Sequence, residues 1–306
     1  MREVRLPAFA KVNLRLEILG KRPDGFHELR TVFQTLSLHD ELILRKSKIP
    51  GITLRVTGNE MLSSEPVKNN LVYRAVSTLQ HALRDKSGVS IELRKTIPAG
   101  RGLGGGSSDA AAALIGFLRL TGKRLPAQML IEIAASLGAD VPFFLFGGRA
   151  LGIGKGDEIY PLPDISRLNI LVVSPKSIHV PTPDAYRWLK AAPLELTKGA
   201  VNPKLYGFCA LCWSTQGAGL SNDFEGPVFR RHAYLAAVKR KLLRAGASEA
   251  LLAGSGSAVI GVFPSPAKAR RAAVGFPQDQ AFVCESLSRD TYVRLVHGRR
   301  NLVSAD

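Results

Sequence analysis

The chain has 306 residues, 45% hydrophobic and 22% charged, the balance of an ordinary globular protein with room for two domains. Its 42 lysines and arginines against 25 aspartates and glutamates give a formal charge of +17, which favours polyanionic partners: nucleic acid, an anionic membrane or phosphorylated small molecules. No apolar run reaches the ~20 residues of a membrane span, and the opening MREVRLPAFAKVNL lacks the apolar stretch of a signal peptide, so a membrane-spanning helix is excluded and the cytoplasm is the expected location.

In chain order, the first element is a strand over residues 12–18, where Val12, Leu14, Leu16 and Ile18 alternate with Asn13, Arg15 and Glu17 as on a half-buried strand. Extending that alternation backwards puts Lys11 on the face of Asn13. Residues 41–45 and 52–57 read as further strands, and 59–68 as a loop. Leu71, Ala75, Leu79 and Leu83 recur at helical spacing, which predicts a helix over 70–84 with Asn70 as its N-cap. Val89, Ile91 and Leu93 form an alternating strand that runs into PAGRGLGGGSSDAAAAL, residues 98–114. A helix follows, with Ser107, Ser108 and Asp109 in its first turn, and another spans 126–137 between Pro126 and Gly138.

The texture changes near residue 155. Strands are expected at 169–174, 258–263 and 281–286, and helices at 182–192, 202–213, 232–246 and 266–275; a second loop is expected at 191–202. The fold class is therefore α+β in two domains, 1–155 and 156–306, without internal repeats. The basic clusters Arg230-Arg231, Lys239-Arg240-Lys241 and Arg299-Arg300 carry no RNP-type aromatic pattern, so nucleic acid is not the expected partner. Cys209, Cys212 and Cys284 are an odd number without framework spacing, hence free thiols; no second pair or His cluster completes a zinc site around Cys209 and Cys212.

The glycine stretch lies between a strand and a helix. Free N–H groups at a helix N-terminus and the helix dipole favour an anion there, and glycines let the backbone approach phosphate oxygens. Gly100, Gly102 and Gly105 match G-x-G-x-x-G, but the acidic residue of a dinucleotide site ~20 positions on is missing. The serines follow Gly106 without the lysine of a Walker loop, and the V-A-I-K, H-R-D and D-F-G elements of protein kinases are absent.

Pro98 to Ala112 resembles the second motif of the GHMP kinases, P-x-x-x-G-L-G-S-S-A-A, and Ala253 to Ser257 (AGSGS) resembles their third. The form GLGGGSSDAA and the stretch AKVNLRLEILGKRPDGFHELRTVFQTLSLHDEL, residues 10–42, resemble one branch in particular. That branch phosphorylates the 2-hydroxyl of a diphosphocytidyl methylerythritol in the non-mevalonate route to isoprenoid precursors. NNLVYRA, LGADVPFF, PTPDAY and LSNDFE follow in the family's order, so the resemblance spans nearly the whole chain.

The resemblance implies a ribosomal-protein-S5-domain-2-like N-terminal domain and a ferredoxin-like C-terminal one. It implies ATP and Mg²⁺ as cofactors, and ATP and a cytidine-diphosphate-linked polyol as the molecules bound, by a monomer or homodimer. Asp140 matches the catalytic aspartate and Lys11 the lysine paired with it. Asn70, Lys95, Pro98, Ala99, Gly100, Arg101, Gly102, Leu103, Gly104, Gly105, Gly106, Ser107, Ser108 and Asp109 fall on the ATP side, with Ser108 facing the metal. Asn13, Phe26, His27, Phe33, Thr182, Tyr186, Gly254, Ser255 and Gly256 fall on the acceptor side: His27 reads the cytosine edge and an aromatic ring stacks on the base. Phe26 stands where the family usually carries Tyr, which keeps the ring and loses a hydroxyl. Read without the resemblance, Lys11 and Lys95 are strand surface charges, Asp140 is a turn or cap residue, and Asn70 and the serines are helix caps. Another GHMP kinase, acting on homoserine, mevalonate or a sugar, is the nearest competing reading, and an RNA-binding protein a more distant one.

Overall fold

The computed structural model describes residues 3–189, 191–192, 219–298 and 303–304. The expected helix at 202–213, most of the loop at 191–202, Cys209 and Cys212 lie outside them. Among the described residues no helix is long and apolar enough to cross a membrane.

Two sheets carry the fold, the first mixed and the second antiparallel. The first has seven strands among the described residues, built on the long hairpin of β1 (Glu3–Lys21) and β2 (His27–Ser47). β2 serves two partners along its length: β4 (Gly88–Arg94) beside Glu41–Ser47, and β6 (Arg149–Ile153) beside Thr31–Gln34. β3 (Ile52–Thr57) extends the edge beyond β4 in parallel, and β7 (Glu158–Pro161) the edge beyond β6. The β1–β2 register slips between Phe9 and Lys11, and again between Asn13 and Arg15. Such bulges re-aim side chains, and these two bracket Lys11 and Asn13.

β1 is not the half-buried strand that its alternation predicts. Residues 8–14 are all buried, Lys11 and Asn13 included, because the strand has a layer on each side. On one side lies α3 (Gly105–Thr121), packed with α2 (Leu71–Ala82) and α4 (Ala127–Leu137). Twelve of α3's 17 residues are buried, so it is apolar on all sides. Its alanines and Gly116 let it close on the sheet: a Cβ on Gly116 would sit 2.6 Å from Leu44 Cδ1. On the other side of β1, Val12, Leu14, Val32 and Leu36 meet Ile170, Val172, Leu251 and Ile260 of the second sheet.

That second sheet has the order β10 (Glu249–Leu252), β11 (Val259–Phe263), β8 (Asn169–Ser174), β12 (Gln280–Glu285), every pair antiparallel. Its outer face holds Leu171, Val173 and Val259 against Leu235, Val238 and Leu242 of helix Ala233–Arg244 and against Ala269 and Ala272 of helix Pro266–Ala273. The chain passes between the sheets more than once. Ser221 and Asn222 pair with β1, and helix Arg289–Val296 returns to pack Tyr292 in the first core.

Several elements depart from expectation. Residues 59–68 hold a short helix, Glu60–Ser64, capped by Asn59 Oδ1 on the Leu62 amide at 3.0 Å, and then a 3₁₀ turn at Val67–Asn69. Strand β2 starts at His27 rather than near 41. The α3 helix starts at Gly105, so Asp109 falls in its second turn.

Candidate active site

One cleft of about 1110 Å³ opens where β1, the start of α3 and the second sheet's loops converge. On its floor Lys11 Nζ lies 3.1 Å from Asp140 Oδ2 and donates to Asn13 Oδ1 at 2.8 Å. Asn13 in turn donates to Thr31 Oγ1 at 2.7 Å, and Thr31 to the Arg15 carbonyl. This chain fixes the lysine's direction. Asp140 sits in the turn after α4, where Val141 N–H bonds the Gly138 carbonyl at 3.0 Å, and its side chain is part-exposed to the cleft.

The glycine loop forms one wall. Gly100, Gly102 and Gly104 all have positive φ, and Gly104 caps α3 without any side-chain hydrogen bond. The N–H groups of Gly105, Gly106 and Ser107 precede the first intrahelical donor, Ser108 to Gly104 O at 2.9 Å. They and the dipole of a 17-residue helix give the cleft an anion site. Ser107 lines it, as do Pro98, Ala99, Arg101 and Leu103. Ser108 does not: about 100° further round the helix, its side chain is buried.

The two glycine motifs meet backbone to backbone. A Cβ on Gly102 would lie 1.8 Å from the Ala253 carbonyl oxygen, and one on Gly256 2.1 Å from the Arg101 carbonyl carbon. Gly256 therefore braces the phosphate loop from behind and does not line the cleft, where the sequence placed it with the acceptor; Gly254 and Ser255 do line it. Arg101 Nη1 donates to Ser257 Oγ at 2.8 Å. Asn222, from the motif LSNDFE, donates to the carbonyls of Leu252 and Gly254 at 2.9 and 2.7 Å and so holds the brace from below.

Lys95 is no free phosphate-binding cation. Its buried ammonium is ion-paired with Asp40 and lies 2.6 Å from Asp109 Oδ2. Burial pushes the Asp109 carboxyl up to about 7, against the pull of Lys95 and with the help of the second carboxylate, Asp40. Asn70 Oδ1 caps α2 on the Val72 amide at 2.9 Å, and Asn70 also lines the cleft.

At the far end, Phe26 projects from the β1–β2 turn, 58% exposed, with Lys155 Nζ 5.0 Å over its ring. The His27 ring stacks on Tyr186 at 4.6 Å and 25°. Burial, followed by the charge of Lys21, lowers the His27 pKa and favours the neutral ring. Burial and the nearby Asp140 charge raise the Tyr186 hydroxyl to about 12. Thr182 Oγ1 meets Ser255 Oγ at 2.9 Å. Phe33 differs from expectation. It is 1% exposed, its ring packed on Phe143 at 4.8 Å, and so offers no open face to a base; Phe26 and Tyr186 carry the aromatic surface of the cleft.

The cleft thus gathers every site residue read from the sequence except Ser108 and Gly256. Sequence reasoning missed Thr31, Lys155, Lys21, Asn222 and Asp40. Asn222 lies in the quoted motif LSNDFE, and Lys21, Thr31 and Asp40 in the quoted stretch 10–42; only Lys155 falls outside every motif read. Among the described residues no group of three His, Cys, Asp or Glu side chains could hold a metal ion. Cys284 is a buried free thiol, its pKa pushed up to about 12 by burial.

Comparison with known proteins fits this geometry. The GHMP kinases N terminal domain pattern matches residues 70–148, and the GHMP kinases C terminal pattern residues 205–279. The chain is 45% identical over 293 residues to a 4-diphosphocytidyl-2-C-methyl-D-erythritol kinase of Solibacter usitatus (strain Ellin6076), covering 95% of this chain and 91% of that one. Among solved structures, a 4-(cytidine 5'-diphospho)-2C-methyl-D-erythritol kinase superposes with a TM-score of 0.75 at 35% identity, over 92% of this chain and 99% of that one. A homoserine kinase from Cytophaga hutchinsonii, at TM-score 0.67 and 21% identity over 94% of this chain and 95% of that one, shares the fold. The chain belongs to the GHMP kinases and, within them, to the 4-diphosphocytidyl-2-C-methyl-D-erythritol kinase family.

Proposed function

We propose that this protein transfers the γ-phosphoryl group of ATP to the 2-hydroxyl of 4-diphosphocytidyl-2-C-methyl-D-erythritol, in the cytoplasm. The observation that carries the reading is the Lys11–Asp140 pair at 3.1 Å, set between an anion-binding helix N-terminus and an aromatic, histidine-bearing end of one cleft.

Phosphoryl transfer asks mainly for positioning and charge stabilisation. The N–H groups of Gly105, Gly106 and Ser107 receive the ATP phosphates. Asp140 accepts the proton of the acceptor hydroxyl, and the Lys11 ammonium, paired with it at 3.1 Å, orients the carboxylate. Asn13 and Thr31 hold Lys11 in place. Phe26 stacks on the cytosine, His27 reads its edge, and Lys155 and Lys21 supply positive charge beside the diphosphate. Mg²⁺ would be carried by the ATP phosphates, with the Ser107 hydroxyl, which lines the cleft, available to hold it; when bound it would neutralise charge on the transferring group. We divide the chain at residues 155 and 156.

The test is ADP release with this acceptor against homoserine, mevalonate and a sugar. Turnover confined to the diphosphocytidyl polyol is the expected result. Faster turnover of one of the other alcohols would move the assignment elsewhere among the GHMP kinases.

A further inference from the structure

Beneath the glycine loop lies a buried ion cluster centred on a residue that the mechanism above does not use. Asp40, in β2 opposite Ala8, is 0% exposed. Its Oδ1 accepts the N–H groups of Thr96 and of Ile97, the latter at 2.8 Å, and its Oδ2 is ion-paired with Lys95 Nζ. The same ammonium reaches Asp109 Oδ2 at 2.6 Å. Residues 95–97 are the chain's entry to the glycine loop, and Asp109 lies just past its exit, in the second turn of α3. One carboxylate therefore ties down the entry directly and the exit through a single lysine. Gly105 rests on this knot, where a Cβ would sit 3.3 Å from Lys95 Nζ and 3.1 Å from Ile97 Cγ2.

The composition of the knot argues for placement rather than stability. Two carboxylates and one ammonium are buried together, and Asp109 Oδ1 has no hydrogen-bond partner. Apolar residues of like volume generally stabilise as well as a buried ion cluster, or better. What ions add is direction. A loop with glycines at positive φ at 100, 102 and 104 has much freedom to lose, and fixing its two ends removes most of it.

We propose that Asp40 is a positioning residue for phosphoryl transfer. By binding the Thr96 and Ile97 amides and, through Lys95, holding Asp109, it closes the base of the glycine loop and sets the N–H groups of α3 where ATP meets them. This rests on reading that loop as the ATP site.

Asp40→Asn keeps the shape and one acceptor oxygen but removes the anion. The experiment is amide hydrogen exchange on the nucleotide-free variant and wild type, followed by steady-state kinetics. Residues 98–108 are expected to exchange roughly tenfold faster in the variant, with 27–38 and 88–94 unchanged. The KM for ATP is expected to rise roughly tenfold and the acceptor KM to stay within about twofold. Loop exchange equal to wild type, or exchange raised equally throughout the chain, overturns the proposal. Should Asp40→Asn fail to fold, Asp109→Asn cuts the same clamp at its exit and must show the same local exchange; a loop as protected as wild type overturns the proposal there too. ATP added to the wild type tests the underlying reading separately: if 98–108 gains no protection, the loop is not the nucleotide site, while the difference between nucleotide-free proteins still decides the clamp.

Discussion

Lys11 and Asp140 meet at 3.1 Å from opposite sides of a solvent boundary: the lysine side chain is 5% exposed and the aspartate 32%. The cation is locked in the protein, and the carboxylate faces the cleft. This asymmetry is why Asp140, not Lys11, is proposed as the proton acceptor. Asp140→Asn is nearly isosteric and cannot accept it, so turnover should fall ~10²–10⁴-fold, the scale of a positioned base. ATP affinity, measured by titration, should persist. A variant turning over near the wild-type rate would remove Asp140 from the chemistry.

Glycines 102 and 106 should separate structure from ligand. Gly106 has ordinary φ, and its nearest neighbour to an added Cβ is Leu71 Cδ1 at 3.7 Å. Gly106→Ala should leave Tm unchanged or higher, since alanine favours a helix over glycine by about 1 kcal/mol, yet raise the KM for ATP. Gly102→Ala puts a Cβ 1.8 Å from the Ala253 oxygen at φ +81° and should lower Tm. Melting curves beside ATP kinetics check both; an unchanged ATP KM in Gly106→Ala means that phosphate does not approach there.

The proposed specificity for a cytidine-bearing acceptor rests on the aromatic end. His27→Ala should raise the acceptor KM, and Phe26→Ala should cost stacking of ~1–3 kcal/mol. Phe26→Tyr should be tolerated, because the ring is exposed and an added hydroxyl meets solvent. The ATP KM should move little in all three. CMP and CDP should compete with the acceptor, and uridine nucleotides poorly, since their carbonyl leaves a site group unpaired. Equal inhibition by both nucleotide series, with normal kinetics in His27→Ala, would abolish the cytidine slot.

His297 offers a pH test. Its Nε2–H donates to the Leu145 carbonyl at 2.9 Å, and burial, which outweighs that bond, lowers its pKa below 6.5. The folded state thus binds the proton less readily than the unfolded chain, so the contribution is intact above pH 6.5 and lost as pH falls below it. His297→Gln keeps a donor without the titration. Its Tm should fall less than that of wild type between pH 6.5 and 5. Parallel Tm curves for the two proteins would show that His297 does not set this loss.

What the sequence disclosed was local chemistry. The helix after the glycines, the cap at Asn70 and the shared face of Lys11 and Asn13 each depend on neighbours within a few residues. The first part of β2 did not read as a strand, because residues 29–36 are all buried and include Arg30, Gln34 and Thr35. A strand covered on both faces has no alternation to show. Helix Arg289–Val296 buries only Tyr292 and Val296 while Val293 and Leu295 stand exposed, so its apolar residues mark no single face. Asp40 meets Lys95 across 55 positions, and His27 meets Tyr186 from the other half of the chain; only the folded topology reveals such partners. The serine pair was not decidable locally for a different reason: which of Ser107 and Ser108 lines the cleft depends on where the helix begins, after Gly104 at φ +70°.

The seam between Gly102 and Ala253, and between Gly256 and Arg101, is backbone against backbone. Side-chain interfaces can be trimmed a methyl group at a time, and each change shifts the fit slightly. Here no side chain exists to trim, and every substitution adds bulk where there is none to spare. Hybrid proteins joining one family member's first half to another's second half should accordingly need the glycines of both loops in addition to matched side chains between the sheets. A single alanine at either contact should pry the seam open.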